Sequence, residues 1–345
     1  RTARNGRPDV TAQRPNVLVV LTGQQTADAM GAAGNPYLAT PHMDSLATTG
    51  TRYRRAYCGQ PLCAPSRTGL LTGRLPSATG GTGATADGAV AEPSLGRVFA
   101  EAGYDCVYTG SWQLPEHEAP DGHGFRRLHP PTGTDGRDRT DGSVGTVGTD
   151  AGFARTVTGF LTRPRSRPFL LLLPLPEPHG ISAWARGQDP STGPLPPPPP
   201  DLAGPTGPEG PTDRVGPTGP APSLSPSTGP RLRPGLPGRS VLAPEPRETV
   251  VVETHWELPG FEDALGRMVR DERHKYVCYA WGDNREQLFD LVEDPGEMVN
   301  LAADARNAAL LDRFRALLAE HCVGTGDPFG RFIPAHDDAH APNGG

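Results

Sequence analysis

Apolar runs and helical periodicities alternate along the first half of the chain. Val17-Leu18-Val19-Val20-Leu21 is a continuous apolar, β-branched run behind Arg14-Pro15-Asn16. Such a run suits a strand covered on both faces, and it predicts a central parallel strand. Thr40 to Gly50 reads as a helix, with Thr40 as cap, Pro41 at the first helical position, Asp44 in the first turn and Gly50 as stop. Ser94 to Ala102 repeats the pattern, with Leu95, Val98, Phe99 and Ala102 on one face and Gly103 ending it, and the strand Tyr104–Tyr108 follows. Phe153, Val157, Phe160 and Leu161 mark another helical face, ahead of the fully apolar strand Phe169–Leu173. Strand and helix in alternation predict an α/β layered fold.

The pattern then breaks. Between Pro190 and Arg239 lie 17 prolines and 9 glycines in 50 residues and no aromatic side chain, a composition that cannot bury a core. Gly204 to Ala221 runs in interrupted glycine-first triplets, too few for a collagen helix, so the segment reads as an extended, polyproline-like linker. Alternation resumes at Glu248–Glu253, Arg267–Arg270, His274–Tyr279 and Gln287–Leu291, expected to form antiparallel strands. Leu310, Leu311, Phe314, Leu317, Leu318 and His321 fall on one face of a final helix. The expected organisation is an N-terminal α/β region at 14–187, a Pro/Gly-rich linker at 188–246, an antiparallel subdomain with its helix at 247–323, and a disordered tail at 324–345.

Composition narrows the functional classes. A formal charge of -6, from 39 acidic and 33 basic residues dispersed without a basic stripe, argues against nucleic acid as partner. No run approaches the roughly 18 apolar residues of a membrane span. The expectation is a soluble protein, with the cytoplasm favoured as its compartment. The five cysteines are scattered and form no C-x-x-C pair, and Cys106 and Cys278 read as small buried hydrophobes.

The densest chemical information lies in Pro61-Leu62-Cys63-Ala64-Pro65-Ser66-Arg67-Thr68-Gly69-Leu70-Leu71-Thr72-Gly73-Arg74. This stretch resembles the signature of the sulfatase family, whose fold is alkaline-phosphatase-like. In that family the cysteine of C-x-P-S-R is oxidised to formylglycine, and the hydrated aldehyde attacks the sulfur of a sulfate ester. The resemblance makes Cys63 the nucleophile precursor and Arg67 its fixed cation. A helix start suits an anionic ester, because its first backbone N–H groups are unpaired. Arg14-Pro15-Asn16, Gln24-Gln25, Thr40–Gly50 and Tyr57-Cys58 also resemble the family's opening. Leu288–Leu291, Asp294-Pro295-Gly296-Glu297 and Asn300-Leu301-Ala302 resemble its C-terminal subdomain. The partners implied are a sulfated small molecule or sugar and the formylglycine-generating enzyme.

Departures from the pattern bear on activity. Where the family carries a calcium- or magnesium-binding aspartate, this chain has Gly23, leaving Gln24 as a neutral remnant of the metal site. The family's Gly-Lys-Trp-His stretch is Gly110-Ser111-Trp112-Gln113 here, without its lysine and histidine. His179 matches the substrate-side histidine. The later Asp-His-Gly or Asp-Asn metal motif is replaced by the proline-glycine segment, so the sheet is expected to be truncated, with an exposed strand edge. Three readings follow from these residues: a sulfatase of impaired activity, a non-catalytic relative that binds anions or partners, and a decayed sequence that folds poorly.

Overall fold

In the computed structural model, residues 14–79, 94–112, 114, 120–128, 150–175, 247–258 and 261–335 are described. The linker at 188–246 lies outside them. Two four-stranded sheets organise the molecule. The first is parallel, in the order β1-β4-β2-β3, from β1 (Val17–Leu21), β2 (Asp105–Tyr108), β3 (Arg126–Arg127) and β4 (Phe169–Pro174). The second is an antiparallel meander of β5 (Val250–Leu258), β6 (Phe261–Arg270), β7 (His274–Tyr279) and β8 (Glu286–Asp290). The helices are α1 (Pro41–Thr49), α2 (Cys63–Thr72), α3 (Pro76–Thr79), α4 (Leu95–Glu101), α5 (Asp150–Leu161) and α6 (Ala308–Thr325).

The position of β1 corrects the expectation of a central strand. Among the described residues the central strand is β4, buried at all six residues and paired on both sides, whereas β1 ends the sheet. One face of β1 is covered: Val17, Val19 and Leu21 pack on a cluster of Leu71, Phe99, Tyr104, Tyr108, Phe125 and Leu170. Across the sheet, α5 lays Val157 and Phe160 over Val107, Leu171 and Leu173. Leu18 and Val20 pair in register with Leu171 and Leu173, on that same face, yet are 45% and 49% exposed. A continuous apolar run therefore does not distinguish a doubly covered strand from an edge strand with one open face. Leu161, expected in the buried stripe of α5, is also exposed.

Thr40 departs from its expected role as well. Its hydroxyl makes no capping bond; it accepts from the Gly31 N–H at 2.8 Å and donates to Asp44 at 2.9 Å. Asp44 in turn accepts the Ala32 N–H, so the two side chains fasten α1 to the turn at Gly31–Ala33.

In the C-terminal layer, α6 presses Leu311, Phe314, Leu318 and Cys322 onto Val251, Val269, Tyr276, Cys278 and Leu288. Residues 324–335 are not a disordered tail. Helix α6 runs to Thr325, the left-handed Gly326 reverses the chain, and a 3-10 turn at Pro328–Phe332 returns Phe329 to the core. Asp327 makes the return specific. Its carboxylate accepts from the buried Arg267 guanidinium at 2.7 and 3.1 Å, and its side chain caps Phe329 N–H. Sequence periodicity cannot see this segment, because its anchors, Phe329, Phe332, Ile333 and the Asp327–Arg267 pair, follow no helical or strand spacing.

Candidate active site

Segments at the carboxyl ends of three parallel strands converge, the usual ligand position in an open α/β sheet. After β1 come Gly23 and Gln24, after β2 come Gly110 to Trp112, and after β4 comes Leu175, whose N–H bonds Leu21 C=O at 2.7 Å. The β2 and β4 ends touch through Gly110. A Cβ there would lie 2.1 Å from the Pro174 carbonyl oxygen, at a φ of +128° that L side chains rarely adopt. Glycine is therefore required, and it lets Ser111 N–H reach Pro174 C=O at 2.9 Å. Beneath this loop Trp112 packs edge-on against Tyr108, with ring centroids 4.9 Å apart, and also meets His123 and Phe125.

Helix α2 brings the signature residues to that loop. Cys63 is its first residue and is exposed. Leu62 stands at the N-cap position in an extended conformation and supplies no side-chain cap, which leaves the first N–H groups of α2 without side-chain acceptors from that residue. One turn on, the Arg67 guanidinium is mostly out of water and donates through Nη1 to the Ser111 and Trp112 carbonyls, the latter at 2.9 Å. Burial pulls the Arg67 pKa down from its ordinary value, opposed by Tyr108 and Cys63. Arginine is still a cation at neutral pH. It is thus a strut between α2 and the 110–112 loop as well as a source of positive charge beside Cys63.

A second thiol sits nearby but differs in chemistry. Cys58 is exposed at the surface, yet partial desolvation raises its pKa, against hydrogen bonds involving its own backbone and Ser66. Cys106 is pushed up to about 12 by burial first and Asp105 second, in keeping with a buried hydrophobe.

Gln24 is exposed and lies in the left-handed region, with φ 59°, a conformation disfavoured for its side chain. His179 and Gln113 lie outside the described residues. Among the described residues no three His, Cys, Asp or Glu side chains gather in a way that could hold a metal ion. Gly23 offers no side-chain oxygen and Gln24 only a neutral one, so these residues do not fit a calcium or magnesium site.

Sequence reasoning missed the contribution of β5. Glu253 is 1% exposed, and its carboxylate accepts from Ser77 N–H at 2.8 Å and Ser77 hydroxyl at 2.7 Å. The signal was present: a carboxylate ends the otherwise apolar run Val250-Val251-Val252.

Comparison with known proteins accords with this arrangement. The sulfatase family model matches residues 15–209, more than half of the chain. An ulvan-active sulfatase of Formosa agariphila is 36% identical over 104 residues, 30% of this chain and 20% of that protein. A delta 4,5-hexuronate-2-O-sulfatase of Bacteroides thetaiotaomicron is 27% identical over 199 residues, 53% of this chain and 40% of its own length. The chain spans between 20% and 40% of the length of these two curated relatives. The solved structure of a 2-O GAG sulfatase shares the fold, with a TM-score of 0.69 at 20% identity over 92% of this chain and 94% of that one. With its C-x-P-S-R cysteine opening a helix at the carboxyl edge of a parallel sheet, the chain belongs to the sulfatase family.

Proposed function

We propose that this chain engages sulfate esters at the start of α2, with Cys63, once oxidised to formylglycine, as its nucleophile, and that its turnover is strongly reduced. The observation that supports the reading is the pairing of an exposed Cys63 at the first residue of α2 with the part-buried cation of Arg67 one turn behind it. Backbone N–H groups and one fixed positive charge suit the sulfate oxygens. A hydroxyl of the aldehyde hydrate attacks sulfur, the bond from sulfur to the ester oxygen breaks, and that oxygen needs a proton as it leaves. Ser111 cannot supply a cation, and loss of a positioned acid or base costs roughly 10²–10⁴-fold in rate. The sulfated sugars acted on by the relatives suggest the substrate class. Without chemistry, the same site would be an anion-binding site, a second reading favoured by Gly23 and Ser111.

Mass spectrometry of the Cys63 peptide, from a host carrying the formylglycine-generating enzyme, tests the nucleophile. Aldehyde at Cys63, with slow sulfate release from an aryl ester in calcium or magnesium, is the expected result. An unmodified thiol in that host would remove the enzymatic reading and leave anion binding.

A further inference from the structure

Helix α2 is held from outside its own sheet. On its N-terminal side, the Glu253 N–H donates to Gly59 C=O at 2.7 Å, and the fully buried Gln60 donates through Nε2 to His255 C=O at 3.4 Å. Arg270, on the neighbouring strand β6, donates to the Tyr57 hydroxyl, with its guanidinium 5.4 Å from that ring's centroid. Beyond the C-terminal end of α2, the Glu253 carboxylate takes both Ser77 bonds. One residue of β5 therefore grips the chain on each side of the nucleophile helix, through its backbone on one side and its side chain on the other. The carboxylate is desolvated to do so, which raises its pKa, and the Arg267 cation and the Ser77 donors work against that shift. A buried carboxylate in an apolar strand is costly unless paired, and both Ser77 bonds are directed outward from the C-terminal sheet.

We propose that Glu253 is a positioning residue for the active site: the C-terminal sheet acts as the template that sets where α2, and with it Cys63, stands relative to the 110–112 loop. The inference rests on the reading of the α2 start as the reacting site, but it concerns placement and holds whether or not Cys63 is ever oxidised. It also gives the C-terminal layer a role at the site.

Hydrogen exchange by mass spectrometry, paired with the rate of Cys63 alkylation by iodoacetamide read at the peptide level, tests the idea on the full chain. Glu253→Ala keeps the backbone bond to Gly59 but loses both Ser77 bonds, so it should raise exchange in 75–79 by about tenfold or more, the effect of losing bonds to a charged acceptor. Cys63 alkylation should change with it, while β7 and β8 amides keep their protection. Glu253→Gln should restore both readouts, because its amide can accept from Ser77 N–H and donate to the Ser77 hydroxyl. Ser77→Ala removes one bond from the outside and should give the same local pattern at smaller size, which keeps the test open should Glu253→Ala fail to fold. Unchanged exchange beside α2 in Ser77→Ala, or a rise spread evenly over β5 to β8, would overturn the proposal. Failure of Cys63 to become an aldehyde would not touch it.

Discussion

The two sheets solve the same problem to different degrees. In the antiparallel layer, Tyr276, Cys278, Leu288, Phe314 and Leu318 are completely buried, and charges are matched: Arg267 with Asp327, and Arg315 with Glu286, which also accepts the Tyr276 hydroxyl at 2.7 Å. In the parallel layer the centre is equally dry at Leu171 and Val107, but the β1 end leaves Leu18 and Val20 open on one face. Among the described residues, the sheet that carries the candidate site is thus the less completely covered one, and α2 borrows support from the other layer through Glu253. The two layers are held by different contacts, and variants can separate them.

The largest effect should come from Asp327→Ala, which strands Arg267 without its carboxylate. Removing one member of a buried ion pair costs about 3–5 kcal/mol, and denaturant unfolding should show that loss. Asp105→Ala in the parallel layer loses Arg126, 58% exposed, and Arg165, 3.6 Å away and 19% exposed; neither pair is fully buried, and the cost should be about 1 kcal/mol. Equal losses would break the contrast between the layers.

Next is Gly110→Ala. The left-handed backbone alone costs about 1–3 kcal/mol for a side chain, and the clash with Pro174 adds to it. The expected signature is local: faster exchange at 109–112 and around Arg67, which bonds those carbonyls, with little change in β5 to β8.

How far these features could be read in advance differs between elements. The strands and helices that bury one continuous or periodic stripe were legible, from β1 through α6, and so was the signature that places Cys63 and Arg67 together. What escaped were features whose cause lies far away in sequence. The edge position of β1 depends on which strand β4 pairs with, and the folding back of 326–333 depends on Arg267, 60 residues earlier. The Glu253–Ser77 bond spans 176 residues. Arg67 was legible as a cation but not as a strut, since its partners are backbone carbonyls and carry no side-chain signature.

Glu253 supplies the third test, through pH. Burial raises its pKa in the folded chain above the ordinary 4.5. Between those two values the folded protein holds a proton that the unfolded chain has released, so this residue's contribution falls as pH rises through the window. Glu253→Gln removes that titration. Unfolding free energies of the variant, followed upward from pH 4.5, should decline less than those of the parent, with the two closest at the acid end. An identical slope in both would mean that the Arg267 cation and the Ser77 donors fully offset the desolvation of the Glu253 carboxylate.

The smallest effect tests the open face. Leu18 and Val20 stand beside Leu171 and Leu173 but are about half exposed. A half-exposed side chain recovers little when it is removed from contact, so Leu18→Ser and Val20→Thr should each change unfolding free energy by no more than about 0.5 kcal/mol, as surface substitutions do. Leu171→Ala, on the same face and fully buried, should cost about 2–5 kcal/mol. If Leu18→Ser instead approached the cost of Leu171→Ala, β1 would be covered on both faces in solution, and the parallel layer would be as complete as the antiparallel one. The comparison between neighbours in one register row makes the result insensitive to the strand's own propensity, since both residues occupy equivalent positions on the same pleat.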